Sequence, residues 1–309
     1  MAVAETLSLY DFFKRFPDEN AARKFFEAKR WPDGVYCAHC GSLSIAECKD
    51  HKPMAYRCKD CRKHFSVRTD TVLAESRLPL HKWLMAIYMM TTARKGIPST
   101  QVARELGITQ KSAWFLCQRI RETWLADNMD NSEGLGPVVE IDETYIGGKE
   151  TNKHANKKLN KGRGSVGKMP VMGILDRSGR VRAFPIPATD RPTLHGIIKH
   201  YVTPGSTVIT DEWAAYRKLS GYTHLTVNHS AGEYVNQQAH TNAIESFWSL
   251  LKRGYYGIYH YMSVKHLHRY VAEFSNRKNT ATLSTLDFMG ATALAMEGRH
   301  ISYKELISA

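Results

Sequence analysis

Three acidic residues in the second half of the chain could together hold divalent metal ions. Asp142 lies within the stretch VVEIDETYIGG, Asp211 follows TVIT, and Glu245 comes 34 residues after Asp211. Clustered carboxylates repel one another unless a cation neutralises them, and hard oxygen ligands of this kind suit Mg²⁺ or Mn²⁺ better than zinc. Two such ions, roughly 3.5–4 Å apart, can activate an attacking oxygen and stabilise a leaving oxygen on phosphorus. The alternative is that the three acids are surface charges and helix caps.

The third position of this set has two candidates on one predicted helix, residues 241–253. Glu245 supplies a carboxylate and is the residue we favour, whereas Asn242 could serve as a neutral ligand in its place. An apolar stripe at helical spacing should face a sheet, and it consists of Ile244, Phe247, Trp248 and Leu251. The neighbouring stripe carries Glu245, Ser249 and Lys252. Lys252 therefore lies on the same side as Glu245 and could reach a phosphate.

Two predicted strands must deliver the aspartates. The first covers residues 138–141 and delivers Asp142 to its end, and another covers residues 207–210 and ends in Asp211. Period-2 geometry places Glu140 and Asp142 on one face of the first strand. If the two strands are neighbours in a sheet, the carboxylates of Asp142 and Asp211 come together.

The order of elements after residue 137 predicts the fold of this half. Strands are expected at 138–141, 170–175, 180–186, 207–210 and 224–227, and helices at 193–201, 213–219 and 241–253. Three strands are thus followed by helix, strand, helix, strand and helix. This is the element order of an α/β ribonuclease H-like domain, a mixed sheet with helices on both faces, in which an antiparallel hairpin beside parallel crossovers is allowed.

Four cysteines in the first quarter of the chain predict a structural metal site. Cys37-Ala-His-Cys40 and Cys58-Lys-Asp-Cys61 are two Cys-x-x-Cys knuckles separated by 17 residues. That spacing suits a tetrahedral Zn²⁺ held by four thiolates at about 2.3 Å, in a closed site that contributes folding energy. A redox pair of dithiols is the alternative. Arg62 and Lys63 follow the second knuckle, where they could contact phosphates.

Residues 99–114 fit a helix-turn-helix. Ser99 or Thr100 would cap the first helix, Gly107 would make the turn, and Thr109 would cap the second helix. The start of a recognition helix is where base edges are usually read. The candidate contacts there are Gln110, Lys111 and Ser112, with Arg119 further along. An ordinary helical hairpin would give the same pattern.

The net charge of +13 and the pI of about 9.4 favour a polyanionic partner, with nucleic acid first and an anionic membrane surface second. Seven of the twenty residues from Lys149 to Lys168 are basic, and this insert could track a DNA backbone through side chains such as Lys149, Arg163 and Lys168. A second basic segment, residues 254–275, interleaves tyrosines with Lys, Arg and His. Its tyrosines could pack against the sheet or stack on unpaired bases.

Length and composition predict a soluble protein of several domains. A chain of 309 residues exceeds one ordinary core. It has no apolar run long enough to span a bilayer and no secretory signal pattern, so we expect a cytoplasmic location without a membrane. The expected parts are an N-terminal helical segment 1–30, a zinc ribbon 31–75, a helix-turn-helix region 76–130, a catalytic domain 137–280 and a helical tail 281–309.

Taken together, these motifs resemble a known family. VEIDETYIGG, VITDEWAAY and HTNAIESFWSLLKRG resemble the three catalytic blocks of bacterial insertion-sequence transposases of the ISXO-like type, which have a DDE ribonuclease H-like domain. CAHCG and CKDCRKHFSVRTDT resemble the N-terminal zinc ribbon of the same family, and a basic residue seven positions after the glutamate, here Lys252, fits its pattern. The resemblance covers roughly residues 15–280.

This resemblance implies DNA cleavage and strand transfer at the terminal inverted repeats of an insertion sequence, with insertion into target DNA. It implies that Asp142, Asp211 and Glu245 are ligands of two Mg²⁺ or Mn²⁺ ions, and that the N-terminal region recognises the element ends. Pairing two DNA ends would call for at least a homodimer. Two other functions fit the same motifs: a DNA-binding regulator with an inert catalytic fold, and a nuclease or junction resolvase on this fold.

Overall fold

The computed structural model describes residues 5–48, 54–129, 133–148, 150–159, 164–227 and 240–308, without the side chains of residues 126–129 and 157. The chain divides into two compact units. Unit 1 is Met1–Trp124 together with Thr282–Ala309, and unit 2 is Leu125–Ala281. None of the helices in the described ranges is both long and apolar enough to cross a membrane.

The helices in the described ranges are α1 (Leu9–Arg15), α2 (Glu19–Arg30), α3 (Leu80–Thr92), α4 (Ser99–Leu106), α5 (Gln110–Met129), α6 (Arg191–Tyr201), α7 (Asn242–Gly254), α8 (Leu267–Asn279), α9 (Thr285–Leu294) and α10 (Tyr303–Ile307). The strands there are β1 (Ile45–Glu47), β2 (Tyr56–Cys58), β3 (His64–Phe65), β4 (Val138–Ile146), β5 (Met169–Asp176), β6 (Val181–Pro185), β7 (Thr207–Thr210) and β8 (Thr223–Thr226).

Unit 1 joins the zinc-ribbon region to the helix-turn-helix region through a single apolar core. In the ribbon, β1, β2 and β3 form a small antiparallel sheet. Gly107 ends α4 in the left-handed conformation with φ of 58°, and the Thr109 hydroxyl accepts the backbone N–H of Ser112 at 3.2 Å. The predicted turn and second cap are therefore present. The predicted first cap is wrong by one residue, because Pro98 occupies the N-cap of α4.

The C-terminal helices belong to the core of unit 1. The indole N–H of Trp124 donates to the Thr292 hydroxyl at 3.0 Å, inside the protein. Arg30 is 6% exposed and forms an ion pair with Glu297 at 2.9 Å. Residues 282–309 thus pack with elements far away in the sequence, although the sequence alone suggested a separate tail.

Unit 2 contains a five-stranded sheet in the order β6-β5-β4-β7-β8. The β4–β5 and β5–β6 pairs are antiparallel, and the β4–β7 and β7–β8 pairs are parallel. One apolar cluster joins the sheet to α7 and α8, and another joins it to α6. The predicted ribonuclease H-like mixed sheet, with helices on both faces, is confirmed.

Two predicted elements of this unit differ in the structure. The first strand does not end before Asp142 but continues to Ile146, because β5 pairs with it continuously from Val139 to Ile146. The helix predicted at residues 213–219 is only a 3-10 turn, Ala214–Tyr216, and Lys218 follows it with a φ of 62°. A positive φ at a residue other than glycine is incompatible with a continuing α-helix.

Candidate active site

Asp142 and Asp211 lie at the point where the parallel pairing of β4 with β7 stops. The last register pair joins Glu140 to Ile209, and each aspartate is two residues beyond it. In a parallel pair, equal steps beyond a register pair keep two residues side by side. Asp211 directly follows β7, as predicted, and its Oδ1 accepts the backbone N–H of Trp213 at 3.0 Å.

The environment of Asp142 brings the third acid into the same place. Burial, with smaller contributions from the negative charges of Asp211 and Glu245, raises the pKa of Asp142 to about 6. Two hydrogen bonds act in the opposite direction: one from the backbone N–H of Glu143, and one from the indole N–H of Trp248, which donates to Asp142 Oδ2 at 3.0 Å. Asp211 and Glu245 therefore lie near enough for their charges to act on the partly buried carboxyl group of Asp142.

Helix α7 presents Glu245 from its first turn. The residues of the predicted apolar stripe are buried, and those of the neighbouring stripe are exposed, as the spacing predicted. The Thr241 hydroxyl donates to Glu245 Oε1 at 2.9 Å and thereby restrains the side chain. Asn242, the alternative ligand, is exposed at the first position of the same helix, and Lys252 is exposed two turns beyond Glu245.

Glu140 is a functional residue that the sequence analysis missed. Its side chain is fully buried, and Oε2 accepts the backbone N–H groups of Ala243 and Ile244 at 3.0 Å each. Arg177 provides the opposite charge 3.1 Å from Oε1, and a ring nitrogen of His240 lies 3.3 Å from the same oxygen. The strand that carries Asp142 is thus tied to the N-terminus of the helix that carries Glu245. Period-2 geometry had already placed Glu140 on the face of Asp142, and that was the signal available.

Close packing holds α7 against the sheet beside Asp142. Gly173 of β5 is the register partner of Asp142. A Cβ atom at Gly173 would lie 2.6 Å from the Trp248 ring and 2.8 Å from Ile244. Only glycine leaves room here for the indole whose N–H reaches Asp142.

Glu143 is a second acid that the sequence analysis did not single out. It follows Asp142 and therefore points to the opposite face of β4, where the Tyr216 hydroxyl donates to its carboxylate. Burial raises the pKa of Glu143 to about 7, and the charges of Asp142 and Asp211 act in the same direction. Tyr216 is fully buried, so this bond anchors the 3-10 turn that follows Asp211 to the strand of Asp142.

The four cysteines fit tetrahedral coordination of Zn²⁺. Cys37 Sγ lies 3.6 Å from Cys61 Sγ, and Cys40 Sγ lies 3.7 Å from Cys58 Sγ. Four sulfurs about 2.3 Å from one ion would stand at roughly this separation. Within the described ranges, this is the one group of three or more ligand-type side chains whose ligand atoms all lie within 4.8 Å of one another. The three acids of unit 2 are spaced more widely.

Most of the predicted DNA contacts of unit 1 are exposed at the surface. Gln110 and Lys111 are exposed at the start of α5; Gln110 donates to the Ser99 hydroxyl at 3.2 Å, and the Lys111 ammonium lies 4.5 Å from the Tyr303 ring centre. Ser112 is half-buried, and Arg62 and Lys63 in the ribbon are exposed.

Arg119 differs from the prediction. It is 3% exposed, donates to the Ala74 carbonyl at 2.6 Å, and lies against the rings of Trp83 and Phe115. Its guanidinium is therefore engaged in internal contacts and is not presented to a ligand at the surface. In the basic insert, Lys149 and Arg163 lie outside the described residues, and Lys168 is half-buried.

Two sequence families match the chain. Residues 134–279 match the ISXO2-like transposase domain, and residues 17–64 match the transposase zinc-ribbon domain. The chain is also 30% identical over 253 residues to an uncharacterized protein in transposable element ISH50 of Halobacterium salinarum. That alignment covers 78% of this chain and 84% of the relative.

Two solved structures are more distant. A pre-cleavage Mos1 transpososome and the Mos1 mariner paired end complex with Mn are each 11% identical to this chain. Each match covers 63% of this chain and 76% of the other, with a TM-score of 0.20. A TM-score this low carries no weight for the fold or the chemistry of the chain.

Proposed function

The chain belongs to the ISXO2-like transposase family and is a DNA transposase, and we propose that Asp142, Asp211 and Glu245 form its catalytic site. The family resemblance inferred from the motifs is thereby confirmed. The observation that carries the proposal is the geometry at the end of the β4–β7 pairing: both aspartates are two residues beyond the last register pair, and Trp248, on the helix of Glu245, donates to Asp142. The negative charges of Asp211 and Glu245 also act on Asp142, whose pKa is raised mainly by burial. A divalent cation would relieve this repulsion, and carboxylate oxygens are suitable ligands for Mg²⁺ or Mn²⁺.

The reaction we infer is phosphoryl transfer in two steps. Water attacks a phosphodiester at the end of the element and frees a 3′-hydroxyl, which then attacks a phosphodiester of target DNA. When bound, two Mg²⁺ or Mn²⁺ ions would supply activation of the attacking oxygen and stabilisation of the leaving oxygen. The protein's part is to hold the acids in place: Trp248 orients Asp142 through Oδ2, and Glu140 fixes the helix that carries Glu245. Lys252 would position a phosphate.

The rest of the chain would select and pair the DNA ends. The ribbon would hold structural Zn²⁺ through Cys37, Cys40, Cys58 and Cys61. Gln110, Lys111 and Ser112 would face base edges of the terminal inverted repeats, and Arg62 and Lys63 would contact phosphates. Two copies of the chain would act together, because one reaction joins two element ends to one target.

The test is an assay of nicking and joining on DNA that carries the element's own ends. Purified protein should act with Mg²⁺ or Mn²⁺ but not with EDTA, and Asp142→Asn, Asp211→Asn and Glu245→Gln should each reduce the rate at least a hundredfold. Asn242→Ala is the matched control on the same helix turn and should retain activity. Zinc content and circular dichroism establish that each variant is folded. If the Glu245 variant remains active while the Asn242 variant fails, the third ligand is assigned to the wrong residue.

A further inference from the structure

One segment of unit 2 has a charge pattern that its place in the catalytic site does not explain. From Ser246 to Ala272 the sequence contains no Asp or Glu, although it contains four Lys or Arg and three His. The chain has 30 acidic residues among 309, so a stretch of this length would ordinarily hold two or three. A polyanion that approaches this segment meets no acidic side chain from it.

The segment continues helix α7 with a change of backbone geometry. After Gly254 the chain makes a five-residue π-helical turn, Tyr255–Tyr259, and leaves it through His260, whose φ is 58°. Short π-helical turns at the end of an α-helix are frequently found at functional sites. The geometry here exposes Tyr256, whose side chain is 52% accessible, while the adjacent Tyr255 is 2% accessible.

Two of the tyrosines in this segment are available to a ligand. Tyr261 is 69% exposed, whereas Tyr270 is only 8% exposed and belongs to the core. The rings of Tyr255 and Tyr256 are 5.0 Å apart. Burial raises the pKa of Tyr255, and the hydroxyls of Tyr256 and Tyr261, which lie near it, act in the same direction. Tyr256 and Tyr261 are called the tyrosine pair below. Lys252, Arg253 and Lys265 are exposed in the same segment.

Tyr256 has a defined position relative to the acids. Glu245, Ser249, Lys252 and Tyr256 follow one another at spacings of four, three and four residues, and all four are exposed. These spacings keep residues on one side of a helix. At a rise of 1.5 Å per residue, Tyr256 lies about 16 Å beyond Glu245.

We propose that the tyrosine pair binds an unpaired segment of DNA by stacking on its bases, on the same strand as the phosphate held at the acids. The placement of that phosphate rests on the proposed function. The basic side chains around the pair attract the backbone, and the exposed aromatic faces give unpaired bases a surface that paired bases cannot use. Packing alone, the other interpretation of these tyrosines, accounts for Tyr255 and Tyr270 but not for the exposed pair.

The experiment measures binding without chemistry. Full-length zinc-loaded protein, with no Mg²⁺ or Mn²⁺ added, is titrated with an end-sequence duplex that carries a single-stranded extension, and with the fully paired duplex. We expect Tyr256→Ala and Tyr261→Ala each to weaken binding of the extended DNA about tenfold, and to change binding of the paired duplex less than twofold. Tyr10, which is as exposed as Tyr261 but lies in unit 1, is the matched control for loss of an exposed tyrosine.

Two further readouts make the inference falsifiable. Tyr→Phe keeps the ring face, so Phe variants should bind like the parent; if they lose as much as the Ala variants, hydroxyl contacts with phosphate replace stacking and the proposal is overturned. A 2-aminopurine base moved along the extension should lose fluorescence most strongly at the positions that reach the tyrosine pair, and this loss should disappear in the Ala variants. Uniform fluorescence along the extension would also overturn it. Because cleavage requires Mg²⁺ or Mn²⁺ and neither is added, a failure of catalysis leaves these outcomes unaffected.

Discussion

The carboxylate of Glu140 accepts the backbone N–H of Ile244 at 3.0 Å, inside the protein, and thereby joins the strand of one proposed catalytic acid, Asp142, to the helix of another, Glu245. The first N–H groups of a helix have no partner within it, and a carboxylate there also interacts favourably with the helix dipole. The same oxygen accepts the N–H of Ala243. A single buried side chain therefore sets where α7 begins relative to Asp142, and with it the position of Glu245.

Replacing Glu140 with Ala should destabilise unit 2 by about 3–5 kcal/mol, because it leaves two buried N–H groups and the charge of Arg177 without their partner. Glu140→Gln should cost less, since its amide oxygen can still accept both N–H bonds. Urea denaturation measures the free energy of unfolding, and amide exchange at Ala243 and Ile244 reports the local effect.

The control for Glu140 is an acid whose ion pair lies at the surface. Glu133 contacts Arg180 at 3.2 Å, but its side chain is 80% exposed. Glu133→Ala should change the free energy of unfolding by less than about 1 kcal/mol. Equal losses for the two Ala variants would show that Glu140 is no more than an ordinary ion-pair partner.

Gly173→Ala should disturb the site without touching any charged group. Its Cβ would lie 2.6 Å from the Trp248 ring, and overpacking of this kind typically costs about 1–3 kcal/mol. Because the helix must move outwards, the bond from Trp248 to Asp142 should lengthen and the nicking rate should fall. Urea denaturation and the nicking assay measure the two effects.

Gly196 provides the matched glycine control. It lies in α6 with nothing within 4 Å of a Cβ built on it, and its φ is not in the left-handed region. Gly196→Ala should therefore stabilise the protein by roughly 0.5–1 kcal/mol and leave the nicking rate unchanged. A Gly173 variant that behaves in the same way would contradict the close approach of α7 to the sheet.

The zinc site should hold one Zn²⁺ per chain. Cys58→Ser should abolish zinc binding and unfold the ribbon, because such sites contribute folding energy directly. Cys48, which is half-buried and outside the group of four, is the control, and Cys48→Ser should retain the metal. Metal analysis and circular dichroism check both expectations. Retention of zinc by the Cys58 variant would place the ligands elsewhere.

The sequence predicted those parts of the site that depend on local periodicity. The spacing of Ile244, Phe247 and Trp248 identified the buried face of α7, and the end of the strand 207–210 located Asp211. Contacts between residues far apart in the sequence could not be predicted from local periodicity. The role of Glu140 depends on which backbone donors the fold brings near it, and the burial of Arg119 depends on the rings of Trp83 and Phe115. A local sequence pattern contains no information on the donors near Glu140 or on the rings around Arg119.

The strand of Asp142 illustrates the same limit. The acids at positions 142 and 143 suggested a short strand that ends at residue 141, because Asp and Glu are depleted in strands. The antiparallel partner β5 extends the strand to Ile146 by continuous pairing. Asp142 nevertheless lies beside Asp211, because the distance between them depends on where the parallel partner β7 ends.

The raised pKa of Asp142 predicts a pH-dependent difference in stability in metal-free protein. Burial and the neighbouring acids raise this pKa from 3.8 to about 6 in the folded protein. The folded state therefore binds the proton more tightly than the unfolded state, and the resulting stabilisation is complete below about pH 4 and is lost as the pH rises through about 6. Asp142→Asn does not undergo this loss. Relative to the parent, it should gain about 3 kcal/mol between pH 4 and pH 7.

Mg²⁺ should instead make the parent more stable than the Asp142→Asn variant. A cation that binds only the folded parent stabilises it in proportion to the logarithm of its concentration, whereas the Asp142→Asn variant should respond much less. Glu212→Gln removes an exposed acid next to Asp211 and is the matched control; its stability should follow the parent in both pH and Mg²⁺ series. Urea denaturation at pH 4 to 8, with EDTA or Mg²⁺, measures these differences. Parallel curves for the parent and Asp142→Asn in EDTA would show that Asp142 is not held among the other acids.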